Sequence, residues 1–481
     1  MKFQKGIFIT AWMCLLPLTI LGEDAAKEES KIKTVKITLH PMAEPSPALK
    51  YKLLPAFIDL KPGNAAVFYN KLLAESLRLF LGENEMWDKA GAWSEAPLAE
   101  LRDEKVRSII RGWNGKVDEI KRASQCEYCD WQVPIREYGI ATLLPDLQQT
   151  RSYARLLEPY ARLQIAEGKY DDAVQTLQAG YTLGRHVANG PTLVHNLVGC
   201  TIVSMMSDQV RELIQQPNAP NLYWALTDLP RPIIDFRSGT DAEYDCLLIN
   251  FPELRNLETK ELAPDQWRVL LQQTIAKAGN YTNASANNKF MPIALSAFLL
   301  IEGYPRAKTF LIERGWPADK VEDMPLGQVL LIAGLRQYDE IKDDLFKWMY
   351  LPYPEAIAGM KKANAKLMEL SRGGQEILPL ASLFMPAMSS AKVAEARTER
   401  TIAILRVLEA IRLYGAAHGG QLPEKLSDIT EAPIPIDPIL GTAFIYHRIE
   451  DAAILEAPAP SGLNLDAYWL RYEIHLESKG K

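Results

Sequence analysis

Apolar and polar residues alternate strictly in two stretches near the start of the chain. In TVKITLH (34–40), Val35, Ile37 and Leu39 oppose Lys36, Thr38 and His40. In ALKYKLLP (48–55), Leu49, Tyr51 and Leu53 oppose Lys50 and Lys52. A period of two is that of a half-buried strand. The link PMAEPSPA (41–48) is proline-rich, so the pattern predicts a loose β hairpin rather than a tight two-residue turn. After Pro62-Gly63 the period becomes helical and stays so to about residue 418. APDQWRVLLQQTIAKA (263–278) places Trp267, Leu270, Leu271 and Ile275 on one face, with Pro264 suited to a first turn. PLGQVLLIAGLRQYDEIKDDLFKWMY (325–350) sets Leu331, Leu335, Tyr338, Ile341, Leu345 and Trp348 at steps of three and four. Such stripes face a core far more often than a cofactor.

The last ninety residues carry a mixed pattern. A helix through RTIAILRVLEAIRLYGAAH (400–418) is expected to stop at Gly419-Gly420. LPEKLSDI (422–429) reads as a short helical turn. In IPIDPILGTAFIYH (434–447), Asp437-Pro438 makes a turn and Gly441 is free to take a positive φ. TAFIYH (442–447), AAILEA (452–457) and YWLRYEIHLE (468–477) read as strands. A long helix on a three-stranded antiparallel sheet is the economical arrangement.

The predicted fold class is therefore mainly α. A helical-hairpin, TPR-like array stands between a short N-terminal β arm and a small C-terminal α+β module. The expected divisions are a leader at 1–22, an extended segment at 23–62, a helical domain at 63–388 and the module at 389–481. The polar stretch AGNYTNASANNK (278–289) is a candidate sub-boundary and is expected to be a loop. It contains Asn280-Tyr281-Thr282 and Asn283-Ala284-Ser285, which accept glycans only in a host that glycosylates exported proteins.

Composition narrows the function classes. The chain has 481 residues, 48% of them hydrophobic and 24% charged, with a formal net charge of −6. That balance suits a folded soluble protein. It gives no electrostatic reason to expect nucleic acid or an anionic membrane as partner. Lys2 and Lys5 precede the apolar run GIFITAWMCLLPLTIL, and Pro17 interrupts it. That is the pattern of a cleaved signal peptide, so the expected location is periplasmic or secreted, with no membrane span after cleavage.

Beyond the leader four cysteines remain: Cys126, Cys129, Cys200 and Cys246. CEYC (126–129) is the sharpest local motif. Its spacing serves a structural disulfide, redox exchange, half of a metal site or free thiols. An even count in an exported chain favours a disulfide involving Cys126 and Cys129, internal or to Cys200 or Cys246. Redox exchange wants a βαβ context, and zinc wants a second CxxC. His186 and His195 are nine apart, too far for a one-turn metal pair. No HExxH, P-loop, GxSxG or GxGxxG appears, so no cofactor, metal or catalytic residue is assigned. Trp348, Tyr350 and Tyr353 are dense enough to line an aromatic groove for carbohydrate or peptide. They also suit the packed end of a helix stopped by Pro352 and Pro354.

Three resemblances add to this reading. In YARLQIAEGKYDDAVQTLQAGYTLG (160–184), Gly168, Tyr170, Ala173 and Leu177 resemble one tetratricopeptide helix pair with Gly168-Lys169 as its turn. With no second good copy at that period, the match implies either a peptide-binding solenoid with degenerate repeats or a helical hairpin that uses the same turn chemistry. The stretch 405–447 is similar to the globular part of type II secretion pseudopilins, with Leu413, Tyr414, Gly420, Pro423, Asp437, Pro438, Gly441 and Tyr446 in the matching places. Pseudopilins join that module directly to an N-terminal membrane helix, whereas here it follows a helical domain, so module reuse is implied rather than pilus assembly. PNLYWALTDLPRPIIDFR, YPRAKTFLIERGWPADKVEDMPLGQVLL and KWMYLPYPEA resemble exported helical proteins of planctomycete-type bacteria, a group without an assigned activity.

The functional expectation is an exported helical scaffold that binds a protein or peptide. The alternative is a carboxylate-dependent polysaccharide hydrolase or lyase on a helical toroid, with two carboxylates and aromatics converging in a pocket near Trp267 or Trp348.

Overall fold

The computed structural model describes residues 34–78, 83–280, 299–385, 388–460 and 468–477. The leader at 1–22 and residues 281–289 of the polar stretch lie outside the described residues. The chain is mainly helical, with one four-stranded and one two-stranded sheet among the described residues.

Strand β1 (Thr34–Leu39) forms where the alternation places it, and Ile37 and Leu39 are buried. The expected hairpin does not form. Residues 48–55 contain no strand, and β1 pairs in parallel with the last strand of the chain, Ile37 opposite Ile474. The prolines at 41, 45 and 47 leave the link short of ladder donors. The second alternating stretch instead lies along a helix through side-chain bonds. Gln178 Nε2 donates to the Lys52 and Leu54 carbonyls at 3.0 and 3.1 Å, and Leu53 is buried.

A second pairing was not legible in the sequence. β2 (Lys61–Asn64) runs parallel to β3 (Cys126–Tyr128). Asn64 then caps helix α1 (Ala65–Arg78), accepting from Ala66 N at 3.1 Å, and its amide clamps both backbone groups of Asp130. Between these strands lies the short helix α2 (Glu104–Arg111), capped by Asp103, whose carboxylate accepts from Lys105 N and Val106 N.

Helices α3 (Pro145–Ala166), α4 (Tyr170–Ala188) and α5 (Leu193–Leu213) pack side by side. The turn between α3 and α4 is the predicted one. Gly168 has φ +73°, a conformation that favours glycine, and Ala173 and Leu177 are buried. The approach of α4 to α5 is set by glycines: a Cβ at Gly199 would fall 2.7 Å from Gly184 O and 2.8 Å from Ala188 Cβ.

Glu243 meets the start of α5 and accepts from Leu193 N, yet burial pushes its carboxyl from 4.5 up to about 7. An acid raised in the folded state binds its proton more tightly there than when unfolded. Its stabilising contribution is present below pH 4.5 and is lost as pH rises through 7. Relative to wild type, Glu243→Gln is therefore expected to gain stability between pH 5 and pH 8, on the order of 2–3 kcal/mol. Thermal unfolding of both proteins at the two pH values checks this.

Helix α6 (Pro264–Asn280) buries Trp267 and Leu271. It runs to Asn280, so residues 278–280 of the expected loop are helical. Helix α7 (Leu326–Phe346) buries Leu331, Tyr338, Ile341 and Leu345 of the predicted stripe, half-buries Leu335 and ends before Trp348. It starts against α6, where a Cβ at Gly327 would lie 2.5 Å from Trp267 O. Helix α8 (Tyr353–Arg372) follows, with proline in its first turn.

The last helix, α9 (Met388–Ala417), is buried on nearly every side. It packs on α5, on α8 and on the short helix Tyr223–Thr227. Gly419 (φ +64°) and Gly420 (φ +84°) end it, and Gly420 N returns to Gly415 O at 2.7 Å. Strands β4 (Ile445–Ile449), β5 (Ala452–Ala457) and β6 (Leu470–Leu476) form the predicted antiparallel meander, and β1 extends it to the order β1-β6-β5-β4.

The core of this end is continuous with the helical body. Ile37, Leu177, Leu345, Ile411 and Ile474 belong to one buried apolar cluster, and no break in it marks residue 388. Buried charges on α9 explain why no simple apolar stripe reads along it. Arg400 donates to Asp437 and to the Tyr468 and Pro458 carbonyls. Arg406 donates to Thr227 Oγ1 and Tyr223 Oη. Glu409 and Arg412, both fully buried, bind residues 219–222 and the His40 carbonyl.

Candidate functional site

The cysteine motif is not a disulfide. All four described cysteines are free and buried. The neighbours of each thiol explain this. Cys126 Sγ turns back to the Arg122 carbonyl at 3.7 Å, whereas the Cys129 thiol receives Ala66 N from the first turn of α1. Cys200 meets Thr398, and Cys246 meets Asn250 Nδ2 at 3.6 Å. Burial raises every one of the four thiols, Cys200 to about 12. Buried, protonated thiols react slowly. Titration with a thiol reagent is expected to find these four unreactive in the native protein and all four reactive after denaturation without reductant. A further rise on adding reductant would show a disulfide.

The three aromatics proposed for a groove do not converge. Trp348 packs its ring on Gly359, where a Cβ would lie 2.1 Å away. Tyr353 is buried with Val393, Ala396 and Ile439. Tyr350 alone is exposed, at 62%. His186 and His195 also stay apart: His186 Nδ1 meets Tyr69 Oη at 3.1 Å, and His195 Nδ1 meets Thr192 Oγ1 at 2.8 Å. Burial lowers both imidazoles to about 4. Among the described residues, no three metal-ligating side chains come together. Trp267 lies wholly in the core and offers no surface to a ligand from solvent.

A broad, open concavity lies at the turn of the α3–α4 hairpin. A cleft of about 710 Å³ is bounded by α2, by the end of α3 with Gly168–Tyr170, and by Gln216–Asn218 after α5. A smaller hollow of about 310 Å³ opens on the other side of Lys169, beside Tyr51 and Asp171. Sequence chemistry builds the cleft directly. Asp103 caps α2, which sets Arg107 and Arg111 four residues apart on one face. Arg102, just before the cap, donates Nε to Ala166 O at 2.8 Å and so closes the C-terminal end of α3. Tyr170 Oη donates to Pro217 O at 2.9 Å and fixes the opposite wall.

The charge in the cleft is lopsided. Arg102, Arg107, Arg111 and Lys169 line it with one carboxylate, Glu167. Glu167 takes Arg111 Nη2 at 2.8 Å and Lys169 Nζ at 2.7 Å; Arg107 Nε lies within ion-pair distance at 3.1 Å, while Arg107 Nη1 donates to Glu104 at 2.9 Å. Burial alone would raise its carboxyl, but the Lys169 hydrogen bond and the neighbouring positive charges outweigh it and hold the group low. Arg102 has no carboxylate within ion-pair reach among the described residues, and Arg111 has Glu167 alone. A guanidinium has five N–H donors, so most of theirs remain unspent.

No protein-family model matches the chain, and neither a curated protein nor a solved structure resembles it at a significant level. The cleft is thus known from its geometry alone. Gly168, Lys169 and Tyr170 are legible in the sequence, the first two as the turn and Tyr170 as part of the tetratricopeptide-like pattern. Arg102, Arg107 and Arg111 were not, because an i, i+4 basic pair on a short polar helix also reads as a solvated face.

Proposed function

We propose that this protein is an exported helical scaffold that engages a protein or peptide partner. The observation that carries the reading is the solvent-open cleft at the end of the α3–α4 hairpin, with walls held by Arg102–Ala166 and Tyr170–Pro217. A preformed, polar, multi-sided cleft suits a chain segment. The tetratricopeptide-like turn at Gly168 supports the same reading, as does the pseudopilin-like module at the C-terminal end, reused here as a structural part. The basic and apolar run at 1–22 supports a periplasmic or secreted location. The hydrolase alternative asked for aromatics and two carboxylates converging near Trp267 or Trp348; the first is in the core and the second is packed on Gly359.

The test is a photo-crosslinking residue placed at Asn218, on the cleft wall, with the full chain expressed in its native envelope. The reading expects a discrete crosslinked partner, absent when the same residue is placed at the exposed Arg136. Crosslinks of equal yield at both positions, or none at Asn218, would overturn it.

A further inference from the structure

The cleft contains more positive charge than its own carboxylates can balance. Arg102, Arg107, Arg111 and Lys169 line it with Glu167, and the exposed Glu104 on its rim pairs with Arg107 at 2.9 Å, so four cations meet two carboxylates in a chain whose formal net charge is −6. A cluster of like charges in a cleft costs energy unless a counter-charge settles there. Two of the cations paired with Glu167 remain accessible to a ligand: the Arg111 and Lys169 side chains are 47% and 50% exposed. Arg102 spends one donor on Ala166 O. Carboxylates match guanidinium groups in paired hydrogen bonds.

The opposite wall differs in kind. Gln216 and Asn218 offer neutral amide groups, and Tyr170 offers an aromatic ring beside them. Amide side chains bond a peptide backbone, which carries both donors and acceptors. Basic on one side and amide-lined on the other, the cleft matches an extended segment with acidic side chains on one edge and free backbone on the other. Its volume of about 710 Å³ is far more than one small anion needs. The acidic body around it disfavours a long polyanion such as nucleic acid.

The geometry points to an acidic peptide segment of a partner protein as the ligand of this cleft, its carboxylates taken by Arg102, Arg111 and Lys169 and its backbone by Gln216 and Asn218. This rests on the reading of the protein as a partner-binding scaffold and names the ligand class that the scaffold takes. Glu167 has a defined part in it. It keeps the cations ordered in the empty cleft, and an incoming carboxylate shares them with it. Binding is therefore salt-dependent, because it exchanges one set of ion pairs for another at an open site.

The test measures fluorescence anisotropy of a labelled, C-terminally amidated hexaglutamate peptide with the full chain at low and at physiological salt. Hexaglutamine and a six-nucleotide thymidine strand serve as comparison probes. The expected result is saturable hexaglutamate binding that weakens with salt, with hexaglutamine and the oligonucleotide both weaker. The paired substitution R111Q/K169Q changes only half-exposed side chains and is expected to weaken hexaglutamate on the order of tenfold or more, with thermal unfolding little changed. R136Q, outside the cleft, is expected to leave binding as it is. Equal binding of hexaglutamine, tighter binding of the oligonucleotide, no binding of hexaglutamate, or hexaglutamate binding untouched by R111Q/K169Q would overturn the assignment. The two readings fail separately. An Asn218 crosslink that persists in R111Q/K169Q leaves the scaffold standing and removes the acidic ligand. Specific hexaglutamate binding without any native crosslink does the reverse.

Discussion

Replacing Asp437 by alanine is expected to destabilise the protein by about 3–5 kcal/mol, among the largest effects of any single side chain. Asp437 and Arg400 are 1% and 2% exposed. The carboxylate takes Arg400 Nε at 2.9 Å and a second guanidinium nitrogen, and it also accepts Ile439 N at 2.8 Å. Its removal leaves a buried, unpaired guanidinium and an unsatisfied amide in the tight loop that ends at Gly441 (φ +69°). Asp437→Asn should cost less, since an amide oxygen still accepts Ile439 N. The double variant Arg400→Met with Asp437→Asn should cost less than the two single changes added together, because neither leaves the other's charge stranded. It should not reach wild type. Arg400 also donates to Pro458 O and Tyr468 O at 2.8 Å each, and methionine leaves both carbonyls empty. Denaturant unfolding of wild type, Asp437→Asn, Arg400→Met and the double variant, read as a double-mutant cycle, gives the coupling, and Asp437→Ala measured beside them gives the full loss.

Arg412→Ala is expected to be as damaging, about 3–5 kcal/mol. Here one guanidinium joins three parts of the chain. It donates to His40 O at 2.9 Å in the N-terminal arm, to Ala219 O at 2.6 Å and Pro220 O at 3.2 Å in the segment after α5, and to Glu409 at 2.8 Å on its own helix. Glu409 in turn accepts Leu222 N at 2.7 Å and Asn221 Nδ2 at 2.8 Å. Without Arg412, a fully buried carboxylate loses its counter-charge and three carbonyls lose their donor. Arg412→Lys should restore little, since an ammonium is a point donor and cannot span the fork that serves three directions. The loss should be visible as a lowered unfolding midpoint and as faster proteolysis of the arm at residues 40–50, which Met42 N also ties to Arg412 O at 3.1 Å.

These two arginines also mark the limit of what the sequence could tell. The C-terminal end of α9, the turn at Asp437-Pro438, the positive φ at Gly441 and strands β4 to β6 were all legible, because local turn chemistry and period-two alternation report them. The partner of β1 was not. Parallel pairing between opposite ends of a chain leaves no local mark, and a nearby alternating stretch offered a false hairpin. Strands β2 and β3 were hidden because they are short and one of them is Lys-Pro-Gly-Asn. The CEYC spacing suggested a disulfide, but whether two thiols meet depends on how Arg122 and Ala66 hold them. The turn at Gly168 was visible; the cleft around it was not, since its third wall comes from residues 216–218, far along the chain. Arg400 and Arg412 sit in an otherwise largely apolar helix, with nothing local to give them a role. Their roles follow from distant backbone carbonyls, which carry no residue-specific signal.

The central structural claim is that N-terminal arm, helical body and C-terminal sheet form one body around α9, and that the cleft belongs to that body. Hydrogen exchange followed by mass spectrometry across a denaturant series tests it most directly. The account predicts that the amides of α9, β5 and β6 open only in the same high-energy event as those of α4 and α5, with the same denaturant dependence. Exchange of residues 389–477 as a separate unit, at a lower opening energy while α4 and α5 stay protected, would contradict it.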